Sequence, residues 1–301
     1  MEVQGNGGTY LYTLWVETEE SQPHSRVAKE SLYFDEKPVI AFQNDLVHLF
    51  DENNLKNASY PFEADRSAVA AMGPRRSDVR LVWFKQWLNN LYCLRVDPSR
   101  MEAEAKKEAE YPDDDLSNFA AWYGHIIQEQ TGSVLDLQRS LREIISGFDT
   151  LDLRKVGRTA RVLRASFRRT SDIENSRSRE QQAEFDFDEL PDGQRSLIAL
   201  YTILYCIVGP KTTICLDEPD NFLALPEIQP WLFELTDRID DQGGQVFLIS
   251  HHPELIDLLA PKHGVVFSRA EFGPVRVEQY HPDALGRISA SEQIARGWDR
   301  G

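Results

Sequence analysis

The chain has 301 residues, 41% hydrophobic and 27% charged, with a net charge of −16. That length suits two domains, or one large α/β domain with an insertion, and buries a core without disulfides or metals. No apolar run reaches the ~18–20 residues of a membrane helix and the N-terminus lacks a basic-then-apolar pattern, so neither membrane spanning nor secretion is expected. The acidic balance also argues against a mainly electrostatic nucleic-acid binder.

Residues 10–17, YLYTLWVE, favour a strand by their aromatic and β-branched content. SLYF at 31–34 and the apolar–polar mix of 39–50 predict further short strands between turns, after the turn Gly5-Asn6-Gly7-Gly8. The first 50 residues therefore read as a small antiparallel sheet. From Ser77 to Leu94 apolar residues recur at helical spacing through Val79, Val82, Trp83, Trp87, Leu88 and Leu91. Residues 93–98 predict a strand stopped by Pro98, and the acidic stretch 100–115 a helical start followed by a loop. Helices are expected at 118–130 and 133–146, strands at 161–167 and 183–190, with a polar loop at 170–182 between them.

From residue 194 the pattern changes to strand–helix alternation, which points to a parallel sheet with ligands at the carboxyl ends of its strands. The nearly all-apolar helix QRSLIALYTILYCIV precedes the strand Thr213–Asp217. A helix at about 226–240, a strand at 245–250, a helix at 253–260, a strand at 264–268 and a last strand PVRVEQY follow. Cys93, Cys206 and Cys215 are odd in number, lack metal spacing and sit in apolar surroundings, which reads as buried reduced thiols of a cytoplasmic protein.

Three features stand in order. Leu190-Pro191-Asp192-Gly193-Gln194 opens the apolar helix, and a glycine loop at a helix N-terminus offers free N–H groups to phosphate, although Pro-Asp-Gly is also an ordinary turn. Thr213-Ile-Cys-Leu-Asp217-Glu218-Pro219 delivers two adjacent carboxylates to a sheet edge, where one acid can hold Mg²⁺ and the next can orient or deprotonate water. Val246-Phe-Leu-Ile-Ser250-His251-His252 ends a second strand in a histidine pair suited to a phosphate or an attacking water.

In this order the motifs of residues 183–268 resemble the C-terminal half of an ABC-type ATPase head, most closely the RecF/SMC-like bacterial AAA family ATPases. LPDGQ resembles the ABC signature, ICLDEP the Walker B motif with its catalytic glutamate, and LISHH the switch-histidine strand. The resemblance implies an α/β, P-loop NTPase-like fold with a mostly parallel sheet, an antiparallel β-lobe (1–76), a helical lobe (77–153) and an ATPase core (154–301). It further implies ATP and Mg²⁺ as ligands, Asp217 on the metal, Glu218 as general base and His251 as γ-phosphate sensor. Pro191, Asp192, Gly193 and Gln194 would face the nucleotide of an opposite head, and Asp220, with Asn221, would fall where the family's D-loop crosses a dimer interface.

Two departures accompany the resemblance. Pro191 replaces the usual signature serine, and no G-x-x-x-x-G-K-[ST] phosphate loop exists, since no glycine is followed by lysine. Gly5–Gly8 reads as a turn and Gly209-Pro210-Lys211-Thr212 as a connector, so the first strand, Walker A loop and first helix are expected upstream of Met1. Gln43 is a candidate for the glutamine that follows Walker A, beside its reading as a surface residue. The implied activity is ATP hydrolysis by a nucleotide-gated homodimer, or with a P-loop-bearing partner, coupled to an effector protein. The alternatives are a non-hydrolysing module that presents its signature helix to such a partner, and a nuclease using Asp217, Glu218 and His251 as metal ligands. The segment 154–180 carries nine Arg or Lys against three Asp or Glu. It could bind nucleic acid through Arg158, Arg161, Arg164, Arg168 and Arg169, but pairing with nearby carboxylates is the preferred reading.

Overall fold

Asn6 and Gly7, with φ of 53° and 80°, fold the first strand back on the second so that Gly5 faces Gly8. The same device recurs at Asp35-Glu36 and Asn44-Asp45, each pair left-handed at both positions, as two-residue type I′ hairpins require. In the computed structural model, which describes residues 1–18, 25–51, 53–73, 78–168, 182–269, 273–282 and 288–297, these turns build a six-stranded antiparallel meander. Its strands, in order, are β1 (Glu2–Gly5), β2 (Gly8–Thr18), β3 (Ser25–Phe34), β4 (Lys37–Gln43), β5 (Leu46–Phe50) and β6 (Lys56–Pro61). The sheet therefore runs beyond the expected 50 residues, because β6 carries Lys56-Asn57-Ala58-Ser59 in place of a strongly apolar run.

Two helices, α1 (Ala68–Ala71) and α2 (Val79–Asn89), complete a first compact unit, Met1–Leu91. Asp78 caps α2 by accepting from the Leu81 N–H. Helix α2 buries Leu81 and Phe84, outside the expected periodic set, with Tyr10, Leu32, Ile40, Phe42 and Val47 of the sheet. Trp83, Trp87 and Leu88 of that set pack partly buried against them, Val79 is exposed, and Tyr10 stacks on Trp83 at 5.0 Å. Glu30 is buried there as an acceptor for Tyr12 Oη, Ser67 Oγ and the Ala68 and Val69 N–H groups.

The second unit spans Tyr92–Gly301. Its strand β7 (Leu91–Arg95) leads to a 3-10 turn at Pro98–Arg100 and the two-residue β8 (Glu104–Ala105), so the helical start expected at 100–115 does not form. Aspartates compete for the backbone there, with Asp115 accepting from Ser117 N–H and the Asp113 N–H bonding Asn118 Oδ1. Helices α3 (Phe119–Glu129) and α4 (Thr131–Ile144) lie where periodicity places them. Next come β9 (Phe148–Val156), β10 (Ala160–Arg168) and β11 (Gln182–Asp186), with β10 pairing antiparallel to β8, β9 and β11. Strand β9 was not expected, since its apolar residues Phe148, Leu151 and Leu153 break alternation where the pairing register shifts between Thr150 and Phe148.

Helix α5 (Asp192–Cys206) is buried from Ser196 to Leu204, as its all-apolar composition demands. Strand β12 (Thr213–Asp217), α6 (Leu225–Gln242) and β13 (Gln245–Ile249) form one parallel crossover, with Asp217 in register with Ile249. Strand order is β13-β12-β7. Ile214, Leu216, Leu94, Val246 and Leu248 pack into a core with α3, α4, α5 and α6, where Trp231 Nε1 donates to the Leu200 carbonyl at 3.0 Å. The alternate residues leave the other sheet face uncovered, with Phe247 and Ile249 50% and 58% exposed.

Helix α7 (Pro253–His263), strands β14 (Val265–Arg269) and β15 (Val275–Gln279) and helix α8 (Ala290–Ala295) complete the order. The two last strands form their own antiparallel hairpin and do not extend the parallel sheet as the alternation predicted. Strand β14 alternates exposed and half-buried positions and β15 is exposed throughout. Cys93 is exposed and Cys206 and Cys215 are half-buried, which corrects the expectation of three buried thiols. Cys93 lies on the uncovered face, one residue before buried Leu94.

Candidate functional site

The carboxyl ends of β12 and β13 bring the two predicted motifs into contact. Asp217 ends β12 with its side chain exposed. Glu218 follows with φ at +47°, a left-handed turn held by its N–H donating to the Ile249 carbonyl at 2.8 Å. That turn directs a half-buried carboxylate to His251, whose Nδ1 lies 3.0 Å from Glu218 Oε1. Asn221 Nδ2 donates to Glu218 Oε2 at 2.7 Å, so both carboxylate oxygens have a neutral or ionisable donor.

These donors stabilise the charged form. The Asn221 hydrogen bond is the largest effect holding Glu218 below the usual carboxylate range; desolvation, the next, opposes it, and the His251 ring and Arg95 guanidinium lower it further. Glu218 is therefore an anion that can accept a proton at either oxygen once a donor moves aside. With a carboxylate on Nδ1, His251 carries its proton there, and Nε2 is the ring nitrogen not engaged by Glu218.

Asp220 is buried and accepts from Ser250 Oγ at 2.8 Å, while the His252 N–H donates to Ser250 Oγ at 2.9 Å. This bridge ties the segment after β12 to the segment after β13. His252 caps α7, its Nδ1 accepting from Glu254 N–H, and so takes a structural position beside His251.

The helix-opening loop approaches the same segment. A Cβ on Gly193 would stand 3.0 Å from the Phe222 carbonyl oxygen, which accounts for glycine beside Asp220-Asn221-Phe222. Pro191 is the N-cap of α5 and is exposed with Asp192, while Gln194 is half-buried. Asp192 is ion-paired with Arg195, whose Nε is buried without a hydrogen-bond partner. The positioning residues that sequence reasoning passed over are Ser250 and Arg95. Ser250 had a signal, a hydroxyl between an apolar strand and two histidines, whereas Arg95 acts from β7, about 120 residues away in the chain.

The two sequence candidates for other loops resolve locally. Gly5–Gly8 is the first hairpin turn, and Gly209–Thr212 is a connector closed by the Thr212 hydroxyl on Gly209. Gln43 ends β4 and is exposed. Of the basic segment, Arg154 pairs with Asp152 and Glu184, Arg161 with Glu108, Arg164 with Asp186 and Arg168 with Asp149. Those arginines are engaged by carboxylates of neighbouring strands and loops, and Arg169 with the polar loop lies outside the described residues. Among the described residues no helix is long and apolar enough to cross a membrane, and no group of three or more His, Cys, Asp or Glu could hold a metal ion.

The family described as "AAA domain, putative AbiEii toxin, Type IV TA system" matches residues 75–257. The match covers both strand ends, the glycine loop and helices α2 to α6. No curated protein matches the chain.

Proposed function

Because the chain belongs to this AAA-domain family, and is thereby an ATPase-type nucleotide-binding domain, we propose that it is an ATP-hydrolysing head of the ABC type, working as a nucleotide-gated dimer. The observation that carries the reading is the Glu218–His251 contact at the ends of two parallel strands, one residue after exposed Asp217. ATP is the substrate. Asp217 offers the hard carboxylate oxygen that Mg²⁺ prefers, and the ion, when bound, supplies neutralisation of phosphate charge.

In this reading Glu218 accepts a proton from the attacking water at a carboxylate oxygen. His251 and Asn221 position that carboxylate and keep it ionised until then. Gly193 and Gln194, at the N-terminus of α5, present N–H groups to phosphate oxygens of an opposite head's nucleotide. The Ser250–Asp220 bridge keeps the two strand ends in step. The sequence contains no G-x-x-x-x-G-K-[ST], so the reading requires a phosphate loop from a segment or partner outside these 301 residues.

That requirement favours a second reading, an interaction module that presents α5 to a P-loop-bearing partner without hydrolysis of its own. Calorimetric titration with Mg²⁺-ATP of the chain together with the segment or partner that supplies the phosphate loop, beside steady-state turnover of that assembly with wild type and Glu218→Gln, separates the two. The enzyme reading expects binding weakened by Asp217→Ala, and turnover that Glu218→Gln lowers about 10²-fold or more while binding persists. Unchanged turnover in Glu218→Gln removes the assigned base. Absence of turnover in that assembly supports the module.

A further inference from the structure

The uncovered face of the β13-β12-β7 sheet carries a second chemistry. Cys93 stands on β7 beside buried Leu94, and Cys215 stands on β12 between buried Ile214 and Leu216. Because side chains alternate along a strand, both thiols project from the face opposite the core. The strands are neighbours in the sheet, and the Cys93 thiol is near enough to help push the Cys215 thiol up, after burial. Neither is in a disulfide, and Cys93 is exposed.

Adjacent strands run about 4.7–4.9 Å apart, inside the Cα spacing of about 4.4–6.8 Å that a disulfide accepts. The third cysteine, Cys206, is on α5, packed against the core and away from this pair in the sheet order.

We propose that Cys93 and Cys215 are a thiol-redox modification site that closes to a cross-strand disulfide on reaction with a low-molecular-weight disulfide. This goes beyond the nucleotide reading and does not depend on it. Cys93, the exposed thiol, attacks one sulfur of the small disulfide R–S–S–R, releasing RS⁻ and leaving Cys93–S–S–R. Cys215 then attacks the Cys93 sulfur, breaking that bond and releasing the second RS⁻. The two thiol protons pass to the two RS⁻ groups, so one R–S–S–R is reduced to two RSH while the protein dithiol is oxidised to one disulfide. The link ties β7 to β12 two residues before Asp217 and two before Arg95.

The test treats the full chain with excess oxidised glutathione and reads intact mass and non-reduced peptide maps. The expected product has lost two hydrogens, joins the Cys93 and Cys215 peptides, leaves Cys206 open to alkylation after unfolding, and reverts with dithiothreitol. Cys215→Ser should accumulate a glutathione adduct on Cys93 at about tenfold or more the wild-type level, because the displacing thiol is gone. Cys93→Ser should form neither adduct nor cross-link, and circular dichroism of both variants checks their fold. A wild type that retains glutathione on Cys93 as stably as Cys215→Ser overturns the proposal. So does a chain that does not react, or a disulfide that joins two chains or involves Cys206.

Discussion

At the scale of single residues, an amide does most to favour the charged form of the candidate base. Asn221 is the largest influence holding Glu218 below the usual carboxylate range, ahead of His251 and Arg95. Removing it in Asn221→Ala raises the Glu218 pKa toward the ordinary value. Glu218 is an anion above its pKa, so the raised value takes the charged form away from the acid end of the pH range first. A carbon-13 NMR titration of glutamate-labelled chain, assigned with Glu218→Gln, should show the acid limb at higher pH in Asn221→Ala than in wild type. His251→Ala should move it in the same direction. An unmoved limb in Asn221→Ala would detach the amide from the carboxylate's charge.

At the scale of elements, α5 and α6 bear the parallel crossover, and their meeting point is Trp231. Its ring is fully buried and its indole nitrogen donates to the Leu200 carbonyl. Trp231→Ala removes a large core side chain and leaves a cavity, with an expected loss of about 3–5 kcal/mol. Trp231→Phe fills most of the space and removes only the indole hydrogen bond, the Leu200 carbonyl keeping its partner within α5, at about 0.5–1.5 kcal/mol. Urea unfolding, read by circular dichroism, should rank the two in that order.

Much of this level was legible in the chain itself. The strand Thr213–Asp217 and the buried helix after Gly193 are strong apolar patterns with polar ends, and both appear within a few residues of their expected bounds. The resemblance assigned Glu218 and His251 separate roles, and their contact was not expected, because it depends on a left-handed Glu218 and on parallel register, which local pattern does not reveal. The acidic stretch 100–115 misled because its charged residues suit a solvated helix as well as they suit aspartate-bonded turns. Strand β9 was hidden by its broken alternation, and the separate β14–β15 hairpin because alternation marks a strand without naming its neighbour.

At the scale of the whole molecule, two compact units each close their own core, one on Tyr10 and Phe84, the other on α5 and Trp231. Over them lies a net charge of −16, which says little about the fold. It bears more on the sheet face that shows Phe247 and Ile249, and on β13, the edge strand beside it. An open strand edge next to exposed apolar side chains invites copies of a protein to stick. Mutual repulsion between like-charged copies opposes this, and it reaches about 30 Å in about 0.01 M salt but only about 3 Å in about 1 M salt. Colloidal behaviour should therefore turn on ionic strength. Light scattering should report discrete particles in dilute buffer and growing ones as salt is raised, while Phe247→Lys, which sets a charge within the face, should suppress the growth. Growth that ignores salt would mean that charge is not what keeps the copies apart.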